Sequence, residues 1–253
     1  MKVKSSDDSC RGVSLSVVVV LLLAGVGSCV MPVASFAEET HFSEITPQAL
    51  KQEIARLAQP NVGCSEKEAA EIAGRYGCST IPTLVGMLTS PDCDPAAQGM
   101  ACLVLARTPG SQGRDAIIAY AKRPLPAEMT YEQALGFQFA MVALAWKADE
   151  ISLKCLEELV GRSYWEALAV KPVIHGVPRG TWATTLGSQE ACQYLREMAL
   201  GAGIGNVAGE RQIEILRKVR AGGASDMAER IDFQIDQARK YIDSPPSEVN
   251  SCP

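Results

Sequence analysis

From residue 46 onward, apolar residues recur three and four positions apart, as in Ala69, Ile72, Ala73 and Tyr76 or in Ile213, Leu216 and Val219. That spacing lines one face of a helix with 3.6 residues per turn. No run alternates apolar and polar residues with the period of two that a half-buried strand needs, so the chain reads as all-α. The helix starts are marked. Thr46-Pro47 and Asp94-Pro95 put proline at the first helical position, where its missing N–H costs nothing. Ser65-x-x-Glu68 and Thr130-x-x-Gln133 are capping boxes.

The helices are expected to come in pairs. A first helix ends at a small residue at Gly77, Gly110, Ala148, Gly187 and Gly222, in steps of 33, 38, 39 and 35 residues. After each break a second helix carries its apolar group, at 81–88, 115–121, 153–160, 190–198 and 226–235. Neither helix of a pair buries its apolar stripe alone, so neighbouring pairs must stack. The expectation is an all-α α-solenoid of about five stacked helix pairs over residues 46–242. Residues 161–181, with Pro172, Gly176, Pro178 and Gly180, interrupt the rhythm as an irregular connection, and 243–253 read as a disordered tail bearing Cys252.

The stretch IPTLVGMLTSPDCDPAAQGMACLVLA (81–106) resembles the HEAT-repeat pattern, and WATTLGSQEACQYLREMAL (182–200) is similar to its short bacterial variant. Ala97-Gln98 stands where that family often has Val-Arg, and Gly86 sits inside a second helix, so a less regular stack is expected around Cys93 to Gln98. The resemblance implies a curved superhelix whose second helices form a concave face that binds proteins or peptides. Tetratricopeptide repeats have a comparable period, but their W-x-x-L-G-x-x-Y pattern is absent.

The amino terminus reads as an export signal. Lys2, Lys4 and Arg11 precede an uncharged run from Gly12 to Ala37. Its strongly apolar part, Val13 to Val26, is shorter than the ~20 residues of a bilayer span. Ser35-Phe36-Ala37 predicts cleavage before Glu38, giving a signal peptide over 1–37 and a linker over 38–45. Val26-Gly27-Ser28-Cys29 resembles a lipobox, which leaves lipidation at Cys29 after a 1–28 signal as the alternative. An uncleaved anchor is the third possibility. All three place the folded part outside the cytoplasm, periplasmic or secreted, with membrane contact only through this segment or a lipid.

Composition narrows the partners. With 47% hydrophobic and 21% charged residues the chain has enough apolar mass for a core. Lys plus Arg total 24 against 29 Asp plus Glu, a net charge of -5, so nucleic acid is disfavoured as a partner.

Chemistry has little to work with. The two histidines, His41 and His175, have no second histidine nearby, and neither HExxH nor G-x-S-x-G occurs. Gly201-Ala202-Gly203-Ile204-Gly205 follows a helix and lacks Lys-Ser/Thr, so it reads as a helix terminator and inter-repeat turn. No catalytic residue, metal or cofactor is expected. Of nine cysteines, seven lie beyond Cys10 and Cys29, an odd number without C-x-x-C. Cys64 and Cys78 fall at opposite ends of a helix about 20 Å long and cannot bond, whereas Cys64 and Cys93 meet at one end of an antiparallel hairpin and are the candidate disulfide. Cys102, Cys155 and Cys192 fall inside helices as small apolar groups.

Trp146 is assigned to the core. Trp165 and Trp182 bracket the irregular segment and either anchor a partner or pack it onto the scaffold. The leading function is an exported interaction scaffold that holds a protein or peptide through Lys154, Glu157, Glu158, Gln193, Arg196 and Glu197, chosen from helix register. The alternative is an enzyme, or an enzyme's accessory subunit, with a site at 161–181 around His175. A deep polar pocket at His175 would favour that alternative, and an open surface the scaffold. A purely structural envelope component, anchored at Cys29, is a third class.

Overall fold

Three of the four marked helix starts are capped as expected. In the computed structural model, which describes residues 46–59, 66–222 and 224–243, Thr46 Oγ1 accepts from the Ala49 amide at 3.2 Å. Asp94 Oδ1 accepts from the Ala96 and Ala97 amides at 2.9 and 3.1 Å, and Thr130 closes a capping box with Gln133. These bonds satisfy first-turn amides that have no partner inside the helix. The expectations for the signal and its Cys29, for His41, the linker, Cys64, Ser65 and the tail beyond Asp243 lie outside the described residues.

Seven helices follow: α1 (Pro47–Leu57), α2 (Glu66–Tyr76), α3 (Ile81–Thr89), α4 (Pro95–Arg107), α5 (Ser111–Ala121), α6 (Tyr131–Lys147) and α7 (Glu150–Val160). The chain turns through left-handed backbone at the expected breaks Gly77, Gly110 and Ala148, with φ of 57°, 86° and 49°. α4 and α6 are apolar on nearly every side and buried accordingly. α4 lies against α1, α2, α3, α5 and α6. Glycine permits the closest approach: a Cβ on Gly99 would stand 2.5 Å from Phe139 Cδ2, and one on Gly136 2.9 Å from the Pro95 carbonyl. α2, α4 and α6 touch in succession, and so do α3, α5 and α7.

At the junction around Cys93 to Gln98, one side chain ties neighbouring helices together. Gln98 Nε2 donates to the Met87 and Ser90 carbonyls at 3.3 and 3.0 Å, and the Tyr120 hydroxyl donates to Gln98 Oε1 at 3.1 Å. One amide thereby joins α3, α4 and α5. It meets carbonyls at the carboxyl end of α3 that the helix itself leaves open.

The all-α reading is corrected by a three-stranded sheet. β1 (Glu128–Thr130) runs parallel to β2 (Val173–Arg179), which pairs antiparallel with β3 (Trp182–Leu186). Between α7 and the sheet lies the short α8 (Arg162–Glu166). Part of the connection over 161–181 is therefore a helix and a strand, and Trp182–Leu186 is a strand where a helix was expected. Gly187 ends β3, not a first helix, so the fourth pair has only its second helix, α9 (Ser188–Met198).

The strands were missed for a physical reason. The ladder shifts register between Ile174 and Val177, where Gly176 takes φ 76°. That bulge puts two buried residues three positions apart, so the period of two is lost. Beyond α9 the chain does not stop at the glycines: Ala199–Gly203 continues as a π-helical turn, then Ile204–Asn206 as a 3₁₀ turn. A Cβ on Gly203 would meet Leu156 Cδ2 at 2.6 Å, so this glycine sets close packing on α7. α10 (Glu210–Ala221) and α11 (Ala228–Asp243) form the last pair.

Candidate functional site

Where the fourth pair lacks its first helix, a cavity of about 740 Å³ opens between α8, the start of α9 and the 3₁₀ turn at Asp226. Its floor includes Trp165, Cys192 and Arg196, all buried. Three of the residues expected to bind a partner, Trp165, Gln193 and Arg196, line it. α8 brings Trp165 in by packing on α7 and against Phe137 of α6, and α9 brings Gln193 and Arg196 in by packing on α6 and α7.

Arg196 is 4% exposed, and each of its three nitrogens donates within the protein. Nε donates to the Val160 carbonyl at 3.1 Å, and Nη1 to Gln193 Oε1 at 2.9 Å. Nη1 and Nη2 make a two-pronged bond to Asp226, at 2.6 and 2.9 Å. The hydrogen bonds from Arg196 hold the Asp226 carboxyl below its usual range, against the opposing effect of burial. Arg196 thus clamps the end of α7, α9 and the approach to α11, and its charge does not face a partner directly. Trp165 is likewise spent: its Nε1–H donates to the Leu159 carbonyl at 2.7 Å, and its ring meets Phe137 edge-on at a centroid distance of 6.0 Å. It packs the irregular segment onto the core. Burial pushes the Cys192 thiol up, so it is a neutral, weakly polar wall at neutral pH.

The other expected contact residues do not converge on this cavity. Glu157 and Glu158 border a second groove of about 450 Å³ with Tyr164 and Lys218. There Lys218 pairs with Glu157 at 2.7 Å, and Glu158 pairs with Lys122. Glu197 pairs with Arg230 and lines a smaller cleft beside Phe233. Lys154 is exposed on α7. Trp182 is 68% exposed at the start of β3. Cys93 is half-buried, and burial raises its thiol pKa.

His175 stands on the solvent side of β2, bridging all three strands. Its Nε2 is bonded to the Glu128 carboxylate, and its Nδ1 lies 3.1 Å from Thr185 Oγ1. With Nε2 donating to the carboxylate, Nδ1 accepts from the threonine hydroxyl. The side chains of His175 and Glu128 are 49% and 69% exposed, and His175 lines none of the cavities above. The arrangement is a polar cross-strand ladder open to water.

Sequence reasoning missed Lys171, Ser188, Gln189, Glu190 and Asp226 as cavity residues. Asp226 lies 30 positions from Arg196 in a turn, so no helix register links them. Among the described residues no cluster of three or more His, Cys, Asp or Glu has the arrangement of a metal site, and no helix is long and apolar enough to cross a membrane. Comparison with protein-family models, with curated proteins and with solved structures gave no match.

Proposed function

We propose that the chain is an exported HEAT-like scaffold that binds a polypeptide where the helical ladder is interrupted. The succession of α2, α4 and α6 beside α3, α5 and α7 supports a short stack of repeat pairs, with α10 and α11 as a terminal pair. The basic and apolar segments at the amino terminus support export. The observation that carries the recognition site is the cavity of about 740 Å³ between α8 and α9, the size of a pocket that encloses a ligand of a few residues. Its floor is apolar and its rim charged, the arrangement of a binding centre surrounded by a polar margin. The enzyme reading has weaker support, because proton transfer at an exposed histidine competes with bulk water.

Photocrosslinking tests the proposal. A crosslinking residue at Gln189, on the rim, should give covalent adducts to polypeptide in the envelope of the producing cell. The same residue at Lys67, on the exposed face of α2, should not. Equal adducts at both positions, or none at Gln189, would overturn the assignment. Sequencing the mature amino terminus decides between Glu38 and Cys29 as its first residue.

A further inference from the structure

The two edges of the sheet are unlike. β1 is three residues long, carries Glu128, follows Pro124 and Pro126, and runs directly into α6. Short length, charge and proline are the devices that keep a sheet edge from pairing with another chain. β3 has five residues, Trp182 to Leu186, inside a stretch, 180–189, that holds neither a charged residue nor a proline.

The ladder fixes which groups of β3 face outward. Pro178 has no N–H, so its pair with Ala183 is a non-bonded pair, and Ala183 turns its own N–H and C=O away from β2. The bulge lies in β2, so the alternation along β3 continues and Thr185 turns the same way. Both residues are exposed, and among the described residues no backbone hydrogen bond from outside the sheet reaches either. Ala183 and Thr185 thus hold two N–H and two C=O groups open to a further strand.

We infer that this strand is β3 of a second copy, paired antiparallel about a two-fold axis at Thr184, so that two three-stranded sheets join into one of six. Ala183 then lies opposite Thr185 of the second copy, and all four open groups of each copy are bonded. A two-fold axis brings each side chain near its own counterpart, so a charged edge would repel itself, and this edge has no charge. The first charges on either side of the stretch are opposite, Arg179 before it and Glu190 after it. Antiparallel pairing about Thr184 brings the Arg179 end of each copy to the Glu190 end of the other, whereas parallel pairing would set like against like. Among the described residues neither has an ion-pair partner of its own copy. Trp182 shares a face of β3 with the buried Leu186, yet its ring is 68% exposed. The same register puts it in a non-bonded pair with Leu186 of the second copy, where side chains approach most closely, and gives the ring an apolar neighbour. The contact is small, so the dimer is weak and forms with concentration. It does not depend on the scaffold reading.

Sedimentation equilibrium of the full chain tests this. The mass should rise with concentration from one copy toward two. Ala183→Pro removes an N–H that β2 does not use, so it should keep the parent's circular dichroism and sediment as one copy over the same range. Arg179→Glu turns two opposite-charge contacts into like-charge ones and should weaken association by about tenfold. Thr184→Cys should give a covalent dimer on mild oxidation, because about 4.5 Å separates the Cα atoms of a non-bonded pair. Thr185→Cys, displaced along the strand from its counterpart, should give no more covalent dimer than the parent. A chain that stays one copy at every concentration, a dimer that a folded Ala183→Pro leaves intact, or equal crosslinking of the two cysteine variants would overturn the inference. If Ala183→Pro does not fold, the cysteine variants decide alone. A photocrosslinking residue at Thr184 that captures another polypeptide in the envelope, and not this chain, would overturn it as well.

Discussion

The α4–α6 contact and the α8–α9 junction solve the same problem, joining neighbouring helices, by different means. α4 and α6 approach through glycine, alanine and large apolar residues, with Phe137, Leu103, Leu105 and Met141 essentially fully buried. The α8–α9 junction lacks a first helix. Its gap is bridged by a guanidinium that reaches a carbonyl on one side and a carboxylate on the other. Dense apolar packing leaves no space for a ligand, and the polar clamp leaves a cavity beside it. The difference puts the open space that the proposed recognition needs at the second region and the densest packing at the first.

Two substitutions break the comparison. Phe137→Ala should be the most damaging, at about 3–5 kcal/mol in chemical denaturation, because it removes a fully buried ring and leaves a void. Its effect reaches both regions, since the ring also packs on Trp165. Arg196→Met should cost less, about 2–3 kcal/mol, because Asp226 remains one-third exposed and water recovers part of the lost bonding. The two variants also differ in their pH dependence. The carboxyl of Asp226 is depressed in the folded state, so its contribution is complete above its unfolded pKa and is lost as pH falls through the folded one. Denaturation midpoints across that acid window should therefore fall more steeply for the parent and for Phe137→Ala than for Arg196→Met.

These elements differ in how far the sequence announced them. Caps and helix breaks depend on residues a few positions apart, so Thr46, Asp94, Thr130, Gly110 and Ala148 were legible. The Gln98 and Arg196 ties join residues far apart in the chain, and nothing local marks their partners. The sheet was hidden because its bulge at Gly176 turns an alternating pattern into a helix-like spacing of three. Of the partner residues chosen by helix register, Gln193 and Arg196 line the cavity because they share one face of α9. Glu157 and Glu158 belong to a different groove because α8 lies between.

A smaller effect sharpens the picture of the regular region. Ala148 is the one described non-glycine residue with positive φ, at 49°, and its amide donates to the Leu144 carbonyl at 3.1 Å to close α6. The backbone there favours glycine, which has no Cβ to crowd the carbonyl. Ala148→Gly should raise stability by about 0.5–1 kcal/mol in the same denaturation experiment, the greater flexibility of the unfolded chain offsetting part of the relief. A loss of stability would mean that this turn is held by packing and not by its backbone preference.

Trp182 gives the smallest expected change and separates recognition from folding. The ring is 68% exposed, on a strand whose paired partner, Arg179, is exposed too. Little apolar area leaves water there on folding, so Trp182→Ala should shift stability by no more than about 0.5 kcal/mol. A large exposed aromatic that contributes so little to the fold has its apolar surface available to another molecule. If Trp182→Ala also leaves the Gln189 adducts unchanged, the hairpin is outside the recognition surface, which then ends at α8 and α9. If the adducts fall while the denaturation midpoint holds, the surface extends along β3. A large loss of stability would instead place the ring in the packing of the interrupted region, on the same side of the comparison as Trp165.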